Sequence, residues 1–162
     1  MDQKVGITIT ELAPGFAQWD ELLALILRAF AYMGGVIDPP SSAHLLTPGS
    51  LREKAKLETV FVAIDKDRIV GCVFALARET DFYIGKLAVD PQRQGQGIGA
   101  RLMQAVERLA REAGKDTIEL QTRIELTANH AAFARLGFHE TERTAHPGYD
   151  RPTSITMRKE LS

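Results

Sequence analysis

The sequence predicts a single α/β domain over residues 1–162, with a mixed central sheet and helices on both of its faces. Two observations carry this. Short apolar runs of period two alternate with stripes of period three to four, so strands and amphipathic helices share one chain. Some neighbouring strands are joined by turns only a few residues long, while others are separated by a whole helix, which requires both hairpins and crossovers.

Taken in order, Val5, Ile7 and Ile9 alternate with Gly6 and Thr8 as a first strand, which Pro14-Gly15 ends. Trp19, Leu22, Leu23, Ile26, Leu27 and Phe30 form the apolar stripe of a helix. "GGVIDPPSS" (34–42) is loop, since its glycines and prolines resist regular structure. Ser50 and Glu53 stand at capping-box spacing and predict a short helix after Ser50. "TVFVAIDKDRIVGCVFALA" (59–77) reads as two strands folded back at Asp65-Lys66-Asp67, and "FYIGKLAV" (82–89) as a third. Tyr83 on this last strand is expected to point into the packing of the sheet. Leu102, Val106, Leu109 and Ala113 mark one face of a long helix that Gly114 terminates. "TIELQTRI" (117–124) is a strand, about 129–136 a short helix, and "GFHETERT" (137–144) and "TSITMRK" (153–159) two final strands.

Composition narrows the function. Twenty basic and 21 acidic residues leave a net charge of −1, which argues against an electrostatic nucleic-acid binder. The N-terminal residues lack the apolar core of a secretory signal, and no run approaches a membrane span. Cys72, the one cysteine, lies in an apolar run and reads as a small core hydrophobe; an intrachain disulfide is excluded and a cytoplasmic location expected. His44, His130, His139 and His146 show no metal-ligand spacing, so no metal is expected.

"VDPQRQGQGIGARLM" (89–103) carries the chemistry. A strand runs into Gly95, Gly97 and Gly99, and a helix starts among them. Free N–H groups at a helix start attract a phosphate, and glycine lets the backbone approach it closely. A P-loop would need Gly-Lys-Ser/Thr, which is absent. The dinucleotide pattern exists formally as Gly95-x-Gly97-x-x-Ala100, with Glu119 about twenty residues on. Five residues, however, separate its first glycine from the strand, and Glu119 falls at the wrong end of its own. The stretch instead resembles the acyl-CoA loop of the GCN5-related N-acetyltransferases, Gln/Arg-x-x-Gly-x-Gly/Ala, with Gln94, Gly97 and Gly99 at its positions. A second block of that family is matched by "HAAFARLGF" (130–138), and the order of elements agrees over nearly the whole chain.

The resemblance implies a mostly antiparallel sheet with one splayed pair of strands, and acetyl-CoA as co-substrate. The backbone of Leu87, Ala88 and Val89 would pair with the pantetheine arm like an added strand. The N–H groups of Gln94, Gly95, Gln96, Gly97, Ile98, Gly99 and Ala100 would hold the pyrophosphate. Phe133 stands where the family often has the tyrosine that protonates the departing thiolate, and Asn129 is either a cofactor contact or a helix N-cap. In place of that tyrosine, Tyr149 is expected as acid, His146 as a further acid–base group and Glu125 as a contact for the amine. Arg151, with Tyr32, Asp38, Ser41 and His44 after the first helix, would contact the acceptor. The implied activity is direct acetyl transfer to a primary amine in a ternary complex, the acceptor being a small molecule or a peptide. The alternative is an acyl-CoA-binding or regulatory module without catalysis. Neither a nucleic-acid nor a membrane partner is implied. Homodimers are common in the family, and the sequence itself bears no mark of one.

Overall fold

The computed structural model describes residues 6–162, so Val5 of the first expected strand lies outside the described residues. In chain order the elements are β1 (Ile7–Glu11), α1 (Trp19–Phe30), α2 (Pro48–Leu57), β2 (Thr59–Asp65), β3 (Arg68–Ala77), β4 (Phe82–Val89), α3 (Ile98–Glu112), β5 (Thr117–Arg123), α4 (Thr127–Arg135), β6 (His139–Thr144) and β7 (Ser154–Glu160). Short 3₁₀ turns cover Ala31–Met33, Ser42–Leu45 and Pro91–Arg93. The order is the one the sequence predicts.

Seven strands form a single sheet in the order β1-β2-β3-β4-β5-β7-β6. Every neighbouring pair is antiparallel except β4 and β5. β3 is buried on both faces from Ile69 to Ala75, as its unbroken apolar run requires. Leu22, Leu25, Ile26 and Ala29 of α1 pack with Leu51 of α2 on one face. Ile98, Leu102, Met103, Val106 and Ala110 of α3 cover the other, joined there by Phe133 of α4 and by Phe138. The helical face therefore runs through Met103 and Ala110, and Ala113, expected on it, is exposed.

Two helix starts differ from expectation. α2 begins at Pro48 because Thr47, not Ser50, is its cap: Ser50 N donates to Thr47 Oγ1 (3.0 Å) and Thr47 N to Ser50 Oγ (2.9 Å). Proline at the first helical position adds to this start. α4 starts at Thr127, so Asn129 lies within its first turn and the cap is Leu126, which offers no side-chain bond.

The feature that matters for function lies between β4 and β5. Their parallel ladder joins Phe82 to Ile118, Tyr83 to Glu119 and Ile84 to Leu120, and then stops. Beyond it each strand stays paired only on its outer side, β4 with β3 and β5 with β7. A bulge in β4 accompanies the split: Cys72 faces Ala88 and Phe74 faces Gly85, so Val73 alone opposes Lys86 and Leu87. Lys86 adopts φ +50° there. The bulge also reverses the side-chain alternation, placing Leu87 and Val89 with the α3 core and Ala88 with the α1 core. At the closed end, Arg78 and Arg158 bridge Asp81 and Glu119 at 2.6–3.2 Å, knitting β4, β5 and β7 together. Among the described residues no helix is long and apolar enough to cross a membrane.

Candidate active site

The glycine stretch begins where β4 ends. Asp90 caps the 3₁₀ turn by accepting from Gln92 N (3.0 Å), and Gly95 and Gly97 follow with φ +82° and +77°. Gly97 is the N-cap residue of α3 and adopts a left-handed conformation that side chains rarely tolerate. Ile98 is buried, so its side chain belongs to the core and only its N–H is free for a ligand. Gly71 matters here too: a Cβ on it would stand 2.9 Å from Ile98 Cγ2, so its bareness lets the start of α3 sit against β3.

The splay opens into a cleft of about 630 Å³. Leu87 of β4 and Phe133 of α4 line it, and so do Tyr32, Ser41, His44 and Asn129. Asn129 Nδ2 donates to Tyr32 Oη (3.0 Å), which leaves the tyrosine's own proton free to be given away. Asn129 and Phe133 stand four residues apart on α4, on one face of the helix. His146 also lines the cleft; its main-chain N–H donates to Thr153 Oγ1 (2.9 Å), and its Nδ1 meets the same oxygen. Burial, aided by the nearby Arg123 charge, lowers its pKa. Ser41 is spent locally, capping the 3₁₀ turn by accepting from Ala43 N (3.1 Å).

The remaining expected residues assemble beside the cleft and do not line it. Asp38 accepts from Tyr149 Oη (2.7 Å) and Arg151 Nη2 (3.1 Å), while its main-chain N–H donates to Glu125 Oε2 (3.3 Å). The bond to Asp38 raises the Tyr149 pKa. Glu125 Oε1 is buried and has no partner among the described residues. Ala88 is buried in the α1 core, which leaves its main chain for any contact.

Several cleft residues were not expected there from the sequence. Tyr83 faces the cleft where packing was expected, because the strands part next to it. Thr122 lines the cleft with a buried hydroxyl that lacks a partner among the described residues. Its signal was readable: it follows Ile118 and Leu120 at the same phase of β5, a polar residue in an apolar position. Lys86, a lysine inside an apolar strand, was a similar mark. Lys54 and Arg123 also line the cleft, and Arg123 fixes the facing loop by donating to Pro39 O (2.7 Å) and Pro40 O (3.1 Å). Cys72 is buried, its thiol pushed up to about 12 by desolvation, and Sγ donates to Lys86 O (3.4 Å). It is thus a core residue that also satisfies the carbonyl of the bulge. Glu119, the acid of the dinucleotide pattern, is bound by Arg78 and Arg158.

Residues 19–138 match the model of the acetyltransferase (GNAT) family. The chain is 32% identical to an IAA acetyltransferase of Azospirillum brasilense, over 88% of this chain and 92% of that one. It is 36% identical to N-alpha-acetyltransferase 30 of Schizosaccharomyces pombe over half of this chain, spanning only 57% of that relative's length. In three dimensions it resembles a GNAT acetyltransferase of Elizabethkingia anophelis with acetyl-CoA bound, at TM-score 0.67 and 20% identity, covering 96% and 99% of the two chains.

Proposed function

Because the chain belongs to the acetyltransferase (GNAT) family, we propose that it moves an acetyl group from acetyl-CoA to a primary amine within a ternary complex. One observation supports this above the others: two strands that part after Ile84 and Leu120 leave facing main-chain edges free, directly upstream of a glycine-lined helix start. The pantetheine arm would lie in that gap against the backbone of Leu87, Ala88 and Val89, with the hydroxyl of Thr122 as a further partner. The pyrophosphate would rest on the N–H groups from Gln94 to Ala100.

In the reaction the amine nitrogen attacks the thioester carbonyl, a C–N bond forms and the C–S bond breaks. A main-chain N–H at the bulge would polarise the carbonyl oxygen. The amine must shed a proton, and His146 is suited to take it. In the tautomer this role needs, Nδ1–H would donate to Thr153 Oγ1, whose own hydrogen has Thr144 O (3.4 Å) as acceptor, and Nε2 would keep its lone pair. The lowered pKa keeps that nitrogen unprotonated at neutral pH. The departing thiolate needs a proton that Phe133 cannot supply. Tyr32, held by Asn129 on the face of α4 that carries Phe133, would donate it. Tyr149 would first have to release Asp38, and its role here is to position the 38–40 loop together with Arg151 and Glu125.

Phe133 at the cleft also favours a second reading, a module that binds acyl-CoA without turning it over. Calorimetric titration with acetyl-CoA, followed by free-thiol release over a broad panel of amines, separates the two. Tight binding with amine-dependent thiol release is the expected result. Binding without release for any amine selects the non-catalytic module, and absence of binding removes both readings.

A further inference from the structure

Resting on the transferase reading, we propose that the acceptor is a small amine carrying its own carboxylate, which docks against Lys86 and Arg123. The cleft is lined by Lys54, Lys86 and Arg123, and among the described residues no aspartate or glutamate lines it. Lys54 is neutralised by Glu58 at 2.7 Å. The other two cations are not. Among the described residues Lys86 Nζ reaches only Ser42 Oγ (3.4 Å), and the Arg123 guanidinium meets the carbonyls of Pro39 and Pro40, which do not balance its charge.

The acidic groups nearby are engaged elsewhere. Asp38 is held by Arg151 and Tyr149, Glu58 by Lys54, and Glu125 through Oε2 alone by the Asp38 N–H. Among the described residues none of these carboxylates pairs with Lys86 or Arg123. Burial and the neighbouring Lys54 charge pull the Lys86 pKa down against the opposing charge of Glu58, which is itself paired with Lys54.

The co-substrate does not account for these charges. Its phosphates belong at the start of α3, past the end of β4, and pantetheine is uncharged. Lys86 instead contacts the 42–45 turn after α1, and Lys54 projects from α2, both on the sheet face opposite α3. Phe30, Met33, Ile37 and Leu45 give that wall an apolar surface. An amine with an apolar body and one carboxylate matches this wall. The cations serve the chemistry as well, because positive charge nearby disfavours the ammonium form and leaves more of the bound amine nucleophilic. The same field opposes acceptors bearing several positive charges.

The test measures kcat/KM by thiol release at saturating acetyl-CoA. L-phenylalanine and L-methionine are compared with L-phenylalaninamide, L-methioninamide and spermidine. Each acid should exceed its amide by about 10- to 100-fold, the range of a charge-assisted hydrogen bond, with spermidine below both. Lys86→Gln should bring the acid-to-amide ratio close to one through KM, and Lys86→Arg should restore it, in proteins of unchanged Tm. Amides or spermidine turned over as well as the acids, or a ratio that survives Lys86→Gln, overturns the proposal and leaves the transferase reading standing. Acetyl-CoA binding with no thiol release from any of the five overturns the proposal, and the transferase reading falls with it only when the broad amine panel is silent as well.

Discussion

Tyr32 and Tyr149 differ in one respect that decides their chemistry. The Tyr32 oxygen accepts a hydrogen bond from Asn129, whereas the Tyr149 oxygen donates one to Asp38. Only the first has an uncommitted proton. Tyr32→Phe should therefore lower kcat by about 10- to 100-fold, toward the lower end if water reaches the thiolate, with little change in the KM for acetyl-CoA. Tyr149→Phe should act on the acceptor KM instead, through the loosened 38–40 loop. Steady-state kinetics on the two variants settles the assignment: a kcat loss confined to Tyr149→Phe would exchange their roles. Little of this was legible in the sequence. Tyr149 and Asp38 are 111 residues apart and Tyr32 and Asn129 are 97. Direction of hydrogen bonding between such partners depends on tertiary placement, which no local pattern encodes.

At the scale of elements, the start of α3 depends on a residue of another strand. Gly71 leaves the space into which Ile98 packs, with Leu102 Cδ1 also within 3.1 Å of where a Cβ would be. Gly71→Ala should push the first turn of α3 off β3. Overpacking of this kind costs about 1–3 kcal/mol. Since the same turn carries the free N–H groups, acetyl-CoA affinity should fall along with Tm. Calorimetry and a thermal melt check this, and a variant with lowered Tm but unchanged affinity would detach the helix start from the phosphate. The elements themselves were readable because their causes are local: alternation in β2 and β3, the apolar stripe of α1, glycines at each end of α3. The errors also have local causes. Ser50 and Glu53 offered one capping pair and Thr47-Pro48-Gly49-Ser50 a better one, while Leu126 gives no chemical sign that α4 begins after it. The bulge was hidden for another reason. A lysine is an unusual residue for φ +50°, and the local sign of the slip in "FYIGKLAV" is its lone interior glycine, Gly85, which fits a bulge and an ordinary strand glycine alike.

For the molecule as a whole, the sheet is two plates, β1-β2-β3-β4 and β5-β7-β6, joined by three residue pairs and one cluster of four charges. Asp81 is the most enclosed member of that cluster, 3% exposed, and its carboxyl lies below the ordinary range chiefly because Arg78 donates to it. A depressed folded pKa means that the ionised form stabilises the fold. That stabilisation is complete above the unfolded value, about 4, and is lost as pH falls through the lower folded one. Asp81→Asn should cost about 1–3 kcal/mol at pH 7 and flatten the acid limb of the stability curve. Urea unfolding from pH 7 down to pH 2 measures both, and an unchanged acid limb would show that other groups govern it. The open seam has a consequence outside catalysis. A ligand lying between the plates would complete the hydrogen bonding of both, and mass action would then add about 1.4 kcal/mol for each tenfold excess over Kd. The population of opened chains exposed to proteases would shrink in proportion, so the lifetime of this protein in a cell would follow the supply of its own acyl donor.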